Sequence, residues 1–275
     1  SPVAGVLATA SKAMGFVVLL RVLVAITMPE NGEAFWVPIV GLLAAVTMTW
    51  GNLGALSSEN PKRMLAYSSV AHAGYLLAAV AALGLNASRV GDHVVAELIV
   101  AAMLFHLTVL VLFKLGSFLV LSMLESEGRG SKLEDLHGLA RREPLIATAL
   151  FIFMLSLAGV PPLSGFLSKL LLVSGIVDAT VHNTMSFDDG FMAAIRSLHW
   201  VFFLALLVFL NSALSLFYYL RVGWVMFFEK PPTGKRLVYA PFLRITIMLC
   251  MVGTLAFGLG PLADHLLTLV SNAAT

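Results

Sequence analysis

The chain has 275 residues, of which 59% are hydrophobic and only 12% charged. A water-soluble domain carries about 25% charged residues, so most of this surface must face something other than water. A net charge of +2 gives no basis for a nucleic-acid partner, and the single cysteine, Cys250, excludes a disulfide framework or an iron–sulfur cluster held by this chain alone.

Crossing hydrocarbon takes about 20 apolar residues. Seven segments qualify, at residues 2–28, 34–57, 64–84, 93–124, 144–176, 197–228 and 240–263. Several exceed the minimum, so they must tilt, break or project. The first lacks a basic start and a small-residue cleavage pattern, and is not read as a signal peptide. Strand-like alternation is absent, which argues against a barrel. The expected fold is all-α: one polytopic transmembrane bundle over residues 1–275. The connections differ in their lysine and arginine content. Glu30, Glu33, Arg89, Asp92, Asp178, Asp188 and Asp189 fall in the odd ones. Lys62, Arg63, Arg129, Lys132, Arg141, Arg142, Lys230, Lys235 and Arg236 fall in the even ones. The positive-inside rule puts the second set on the cytoplasmic or matrix side, with the N-terminus inside and the C-terminus outside. Residues 129–143 alternate leucines with charges, which fits a short surface helix or a plain solvated loop.

Three lysines fall within spans: Lys12 in the first, Lys114 in the fourth and Lys169 in the fifth. Arg21 and Arg221 lie nearer span ends, where snorkelling suffices. A mid-membrane lysine costs on the order of 3 kcal/mol, so three of them are costly features. Lys114 is the weakest case, because its long span could slide. No Asp or Glu lies deep in a span, Glu97 being near a helix start. The lysines must therefore rest on water, histidine or carbonyls, or pair with residues from elsewhere. An ammonium buried without a counter-ion releases its proton more readily than one in water, which is relay chemistry. His72 and His106, at comparable depth in neighbouring spans, are the natural partners, because each ring can pass a proton between its nitrogens. His93 and His182 are expected in loops and His199 and His265 near span ends, none at metal-ligand spacing.

The fifth span contains Gly159-Val160-Pro161-Pro162-Leu163-Ser164-Gly165. Two prolines between glycines should break the helix near mid-membrane. Unpaired backbone there persists only when buried in protein or facing a water-filled cavity. Lys169 follows the break closely, a common transporter arrangement. A weak repeat relates Pro162, Gly165, Ser168 and Lys169 to Pro2, Gly5, Ser11 and Lys12.

Two stretches resemble a known family. One is Asn52-Leu-Gly-Ala-Leu followed by Lys62-Arg-Met-Leu-Ala-Tyr-Ser-Ser-Val-Ala-His-Ala-Gly-Tyr. The other is Leu136-His-Gly-Leu-Ala-Arg-Arg-Glu-Pro followed by Leu155-Ser-Leu-Ala-Gly-Val-Pro-Pro-Leu-Ser-Gly-Phe-Leu-Ser-Lys. Both are similar to the antiporter-like membrane subunits of respiratory complex I, most of all the branch called subunit N, or subunit 2 in mitochondria. That family has two inverted five-helix repeats, each with a broken helix and a buried lysine, and this chain resembles the latter half. The resemblance implies that Lys12 is the central relay lysine and Lys169 the lysine of the second broken helix, and it places His72 in a family pattern. It also implies a proton-translocating subunit of NADH–quinone oxidoreductase in a mitochondrial inner or bacterial cell membrane. The alternatives are a cation/proton antiporter or membrane-hydrogenase subunit, and a non-conducting structural subunit. No cofactor is expected in this chain; NADH, FMN, iron–sulfur clusters and quinone belong to other subunits. Expected partners are other membrane-arm subunits, lipids and a separate chain carrying the missing N-terminal helices. Lys114 departs from the family, which more often has a small polar residue there. The absent first half would supply a glutamate and another lysine, so the chain is expected to be a fragment or one piece of a split subunit.

Overall fold

The computed structural model describes residues 5, 11–27, 33–86, 93–128, 130, 132–184, 198–230, 241–258 and 268. Outside them lie residues 2–4, 6–10 and 28 of the first expected span, the end of the seventh, His265, and the loop residues Glu30, Arg89, Asp92, Arg129, Asp188, Asp189, Lys235 and Arg236. The described chain is helical: α1 (Lys12–Thr27), α2 (Val37–Leu56), α3 (Pro61–Leu83), α4 (His93–Glu125), a one-turn α5 (Leu139–Arg142), α6 (Pro144–Ala158), α7 (Ser164–Thr184), α8 (Phe202–Phe227) and α9 (Pro241–Ala256). Five of these, α2, α3, α4, α7 and α8, contain stretches long and apolar enough to cross a membrane, while α6 and α9 are shorter apolar helices. The segment expected as one interrupted span is thus two helices, α6 and α7. His93 and His182, expected in loops, fall in the terminal turns of α4 and α7.

Local sequence sets the boundaries. Asn60 caps α3 by accepting from the Lys62 and Arg63 amides at 2.9 and 3.2 Å, and Pro61 fills the first helical position, where a missing N–H costs nothing. Pro144 starts α6 in the same way. Gly159 ends α6 with φ +86°, the left-handed conformation that glycine adopts without a Cβ clash.

Helices α2 and α3 pack most closely, because small residues meet. A Cβ on Gly51 would come within 2.4 Å of the Ala71 amide nitrogen, and one on Gly74 within 2.4 Å of the Met48 nitrogen. Backbones approach this closely only across such small positions. α4 lies centrally, against α3, α6, α7 and α9, while α8 spans α2, α6 and α7. The outer faces are apolar: Phe35, Trp50, Phe209, Phe217 and Phe242 are 65–85% exposed. In water such a surface would drive aggregation; against lipid it is the solvent-compatible face.

The described residues of the lysine- and arginine-rich connections and those of the other set lie at opposite ends. At one end the Leu133 amide donates to the Glu59 carbonyl and the Gly138 amide to the Val225 carbonyl, and Lys62 pairs with Glu125. At the other, the Ala34 amide donates to Gly84 O and His199 pairs with Glu33 at 3.4 Å. The 129–143 connection is not one surface helix. It forms a 3-10 turn over Leu133–Leu136 and then α5, and Leu133, Leu136 and Leu139 are all buried in the core. Arg142–Glu127 (3.1 Å) and Arg244–Glu143 (3.0 Å) close that end.

Candidate proton-relay site

The site rests on three neighbouring helices. On α3, Leu65, Ser69 and His72 recur at spacings of four and three, which puts them on one face. His106 and Lys114 on α4 sit about two turns apart and face them. On α7, Ser168 and Lys169 are adjacent, so their side chains diverge by about 100° and serve different neighbours.

Lys114 is fully buried. Its Nζ donates to the Leu65 carbonyl at 3.2 Å and to Ser69 Oγ. Lys12 reaches the same residue, donating to the Ser69 carbonyl. Two lysines from different helices therefore converge on one serine. Further along α3, His72 Nδ1 lies 3.1 Å from His106 Nε2, and both rings are buried. His106 Nδ1 lies 3.0 Å from Ser168 Oγ, which donates to the Gly165 carbonyl at 3.0 Å. The two histidines and a serine of the helix break thus form one bonded run.

Lys169 sits at the break. Its Nζ donates to the carbonyls of Leu157 and Ala158 (2.8 and 2.9 Å) and to Ser212 Oγ (2.8 Å). A helix leaves its last carbonyls without intrahelical partners. Because α6 stops at Ala158, those groups are free to take the amine. The break itself contains a cis Pro161–Pro162 bond. Gly165 closes the gap: its amide donates to Ser156 Oγ at 3.1 Å, and a Cβ there would fall 1.8 Å from the Ser156 carbonyl. The Lys169 amine also lies 5.7 Å from the Tyr75 ring centre, and that ring meets His72 edge-on at 5.3 Å. A cleft of ≈ 230 Å³ adjoins the amine, lined by Phe166, Leu170, Val208, Phe209 and Ser212 among others. Phe209 and Leu170 are 65% and 49% exposed, so the cleft adjoins the outer face.

The histidines, Lys114 and Lys169 come together in one interior row, and Lys12 joins it half-buried at the Ser69 end. The helix break of Gly159, Pro161, Pro162 and Gly165 forms its other end. Sequence reasoning missed Ser69 and Ser212 as amine partners. It also missed a buried network in which Asn52 Nδ2 donates to Tyr75 OH (3.0 Å) and Asn211 Oδ1 (3.1 Å) while Tyr218 OH donates to Asn52 Oδ1 (2.8 Å). Asn52, inside an apolar span, was the available signal, since a polar side chain there needs partners. Among the described residues no cluster of histidine, cysteine or carboxylate groups could hold a metal ion.

The same architecture occurs in known proteins. Subunit N of NADH-quinone oxidoreductase from Heliobacterium modesticaldum is 36% identical over 266 residues, 96% of this chain and 49% of that protein. A chain of respiratory complex I from Thermus thermophilus superposes with a TM-score of 0.63 at 32% identity, over 84% of this chain and 45% of the other. A chain of the Mrp complex from Dietzia sp. DQ12-45-1b gives 0.68 at 25% identity, over 87% and 47%. The chain spans about half the length of the curated relatives it matches. The family model described as "NADH:quinone oxidoreductase/Mrp antiporter, TM" matches residues 1–196, and the chain, a multi-pass helical membrane protein, belongs to that family.

Proposed function

We propose that the chain conducts protons in the membrane arm of an NADH–quinone oxidoreductase, as a subunit or piece of a subunit without a redox centre of its own. The observation that carries this reading is the bonded run His72–His106–Ser168, placed between two amines on Ser69 and the Lys169 amine at the helix break. Every member can donate and accept, or gain and lose, a proton, and no described carboxylate lies among them to trap it. Redox energy released on other subunits would shift protonation along the row. NADH, FMN, iron–sulfur clusters and quinone belong on those subunits, and neighbouring membrane-arm chains and lipid cover the apolar outer faces. The basic end faces the cytoplasm or matrix.

The test is proton pumping by the assembled complex in sealed vesicles, read with a pH-sensitive dye during NADH-driven quinone reduction. Lys12→Met and Lys169→Met should each lower protons moved per electron severalfold while the complex assembles. Lys12→Arg should also impair pumping, because a guanidinium does not release its proton. Full coupled pumping in the methionine variants would sink the relay. The Mrp likeness at a TM-score of 0.68 supports a second reading, cation/proton antiport. Sodium-gradient-driven proton movement without NADH would favour it.

A further inference from the structure

The hydrogen-bond directions at Ser168 follow from which atoms can donate. The Gly165 carbonyl only accepts, so the Ser168 hydroxyl gives its proton to it, at 3.0 Å. The Ser168 oxygen then takes its bond from His106 Nδ1–H, also at 3.0 Å. His106 in that form has a bare Nε2, which must accept from His72 Nδ1–H across 3.1 Å. His72 in turn keeps a bare Nε2. One hydroxyl thus fixes the tautomers of two rings.

We propose that the Ser168 hydroxyl sets the polarity of the His72–His106 pair, turning between the Gly165 carbonyl and His106 Nδ1 so that the pair admits a proton from one side at a time. The transfer balances as follows. A proton adds to His72 Nε2, and the shared proton moves from His72 Nδ1 to His106 Nε2. His106 then loses its Nδ1 proton to water, or to the Lys169 amine once that group has passed one of its own three protons onward. One proton has entered and one has left, and both rings hold the opposite tautomer. The hydrogen bond between them now runs from His106 Nε2–H to His72 Nδ1. His106 Nδ1 is bare, and Ser168 serves it by turning its hydroxyl proton from Gly165 to that nitrogen. A second proton from the same side finds no open nitrogen until the tautomers reset.

A hydroxyl can both accept from and donate to the same nitrogen by rotating, and a thiol does so more weakly. Backbone bonding by serine to the carbonyl one turn back is an ordinary helical habit, so each orientation has a ready partner. The positions around Ser168 suit such a rotor: it is fully buried, and it stands at the start of α7, where the break frees backbone groups. The groups facing the pair are Lys12, Lys114, Lys169 and the Tyr75 ring, and no described carboxylate is bonded to either histidine.

This inference rests on the relay reading, and the experiment separates the two. The assembled complex, carrying histidine with both ring nitrogens labelled, is placed in membranes, and the tautomers of His72 and His106 are read by solid-state nitrogen NMR. In the unmodified protein with no turnover, His106 should be mainly Nδ1–H. Ser168→Ala should shift its tautomer ratio about fivefold, the order expected for one lost neutral hydrogen bond. Ser168→Thr, which keeps the hydroxyl, should restore it, with Ser168→Cys as a second restoring variant if threonine prevents assembly. Pumping in the same membranes should fall severalfold in Ser168→Ala and recover with the tautomer. An unchanged ratio in assembled Ser168→Ala overturns the proposal. A shifted ratio with unimpaired pumping leaves the tautomer assignment standing and overturns the relay reading.

Discussion

The two lysine ends of the row are built in opposite ways. At Lys169 the helix is interrupted, and the amine occupies carbonyls that α6 leaves over when it stops at Ala158. At the other end Lys12 and Lys114 lean on α3, which runs unbroken from Pro61 to Leu83. Its carbonyls already serve the helix: Leu65 O accepts from Ser68 Oγ at 2.8 Å, Ser69 Oγ at 3.0 Å and Lys114 at 3.2 Å. The break makes a dedicated amine site, whereas the intact helix makes two amines share one. Two ammonium groups on one serine repel strongly in a low-dielectric interior, so their charge states are coupled. A proton held at Lys169 meets no such competitor within its hydrogen-bond shell.

The contrast breaks most completely at Gly165. A Cβ there would stand 1.8 Å from the Ser156 carbonyl, a backbone atom that cannot swing away. Gly165→Ala should force α6 and α7 apart at a cost of about 3 kcal/mol, the upper part of the overpacking range. The expected result is little or no assembled complex in the membrane. Gly15→Ala on α1, where a Cβ meets nothing within 4 Å, should assemble normally.

Next in size is the difference between the lysines themselves. Lys169→Met leaves the buried Leu157 carbonyl without its amine donor, at about 1–3 kcal/mol, and leaves Ala158 O with only the long 3.4 Å bond from Ser212 Oγ. Lys114→Met removes a donor from Ser69 Oγ and Leu65 O, but those two still bond each other. Thermal unfolding of the membrane complex should therefore start several degrees lower in Lys169→Met than in Lys114→Met. Equal losses would show that the break is not a site adapted to the amine.

These two ends were unequally legible in the sequence. A lysine inside an apolar run and two prolines between glycines are local signals, so Lys12, Lys114, Lys169 and the break at residues 159–165 stood out without a structure. Partners are a tertiary matter. Nothing near Lys114 in sequence points to Ser69, 45 positions earlier, nor from Lys169 to Ser212, 43 later. The depth of His72 and His106 could be compared from span positions, but their mutual bond depends on how α3 and α4 are rotated. The 129–143 connection misled for a related reason. Leucines alternating with charges suggest a surface helix, yet Leu133, Leu136 and Leu139 pack into the core and the segment forms two short turns instead. The alternation of lysine- and arginine-rich connections with the others needed only residue identities and span order, which is why it was readable on paper.

At Ser69 the shared site can be taken apart. Ser69→Ala removes the hydroxyl that Lys114 uses and leaves the backbone carbonyl that Lys12 uses. Lys114 keeps Leu65 O, so the variant should lose only about 1 kcal/mol of stability. If the two amines act through their common residue, proton flux should fall severalfold, more than the stability loss alone would give. Flux unchanged within error would mean that Lys12 and Lys114 work independently.

The smallest expected effect lies between the ends, at Tyr75. Its ring contacts both the Lys169 amine and His72, while its hydroxyl belongs to the Asn52 network. Tyr75→Phe keeps the ring and deletes the hydroxyl. Asn52 still donates to the Met48 carbonyl and to Asn211, so the loss should be under about 1 kcal/mol, with proton flux within twofold of the unmodified complex. Tyr75→Leu removes the aromatic face as well and should cost more of both. The pair of variants decides where the row stops. A flux loss in Tyr75→Phe as deep as that in Lys169→Met would put the hydroxyl, and with it Asn52 and Tyr218, on the proton's route instead of beside it.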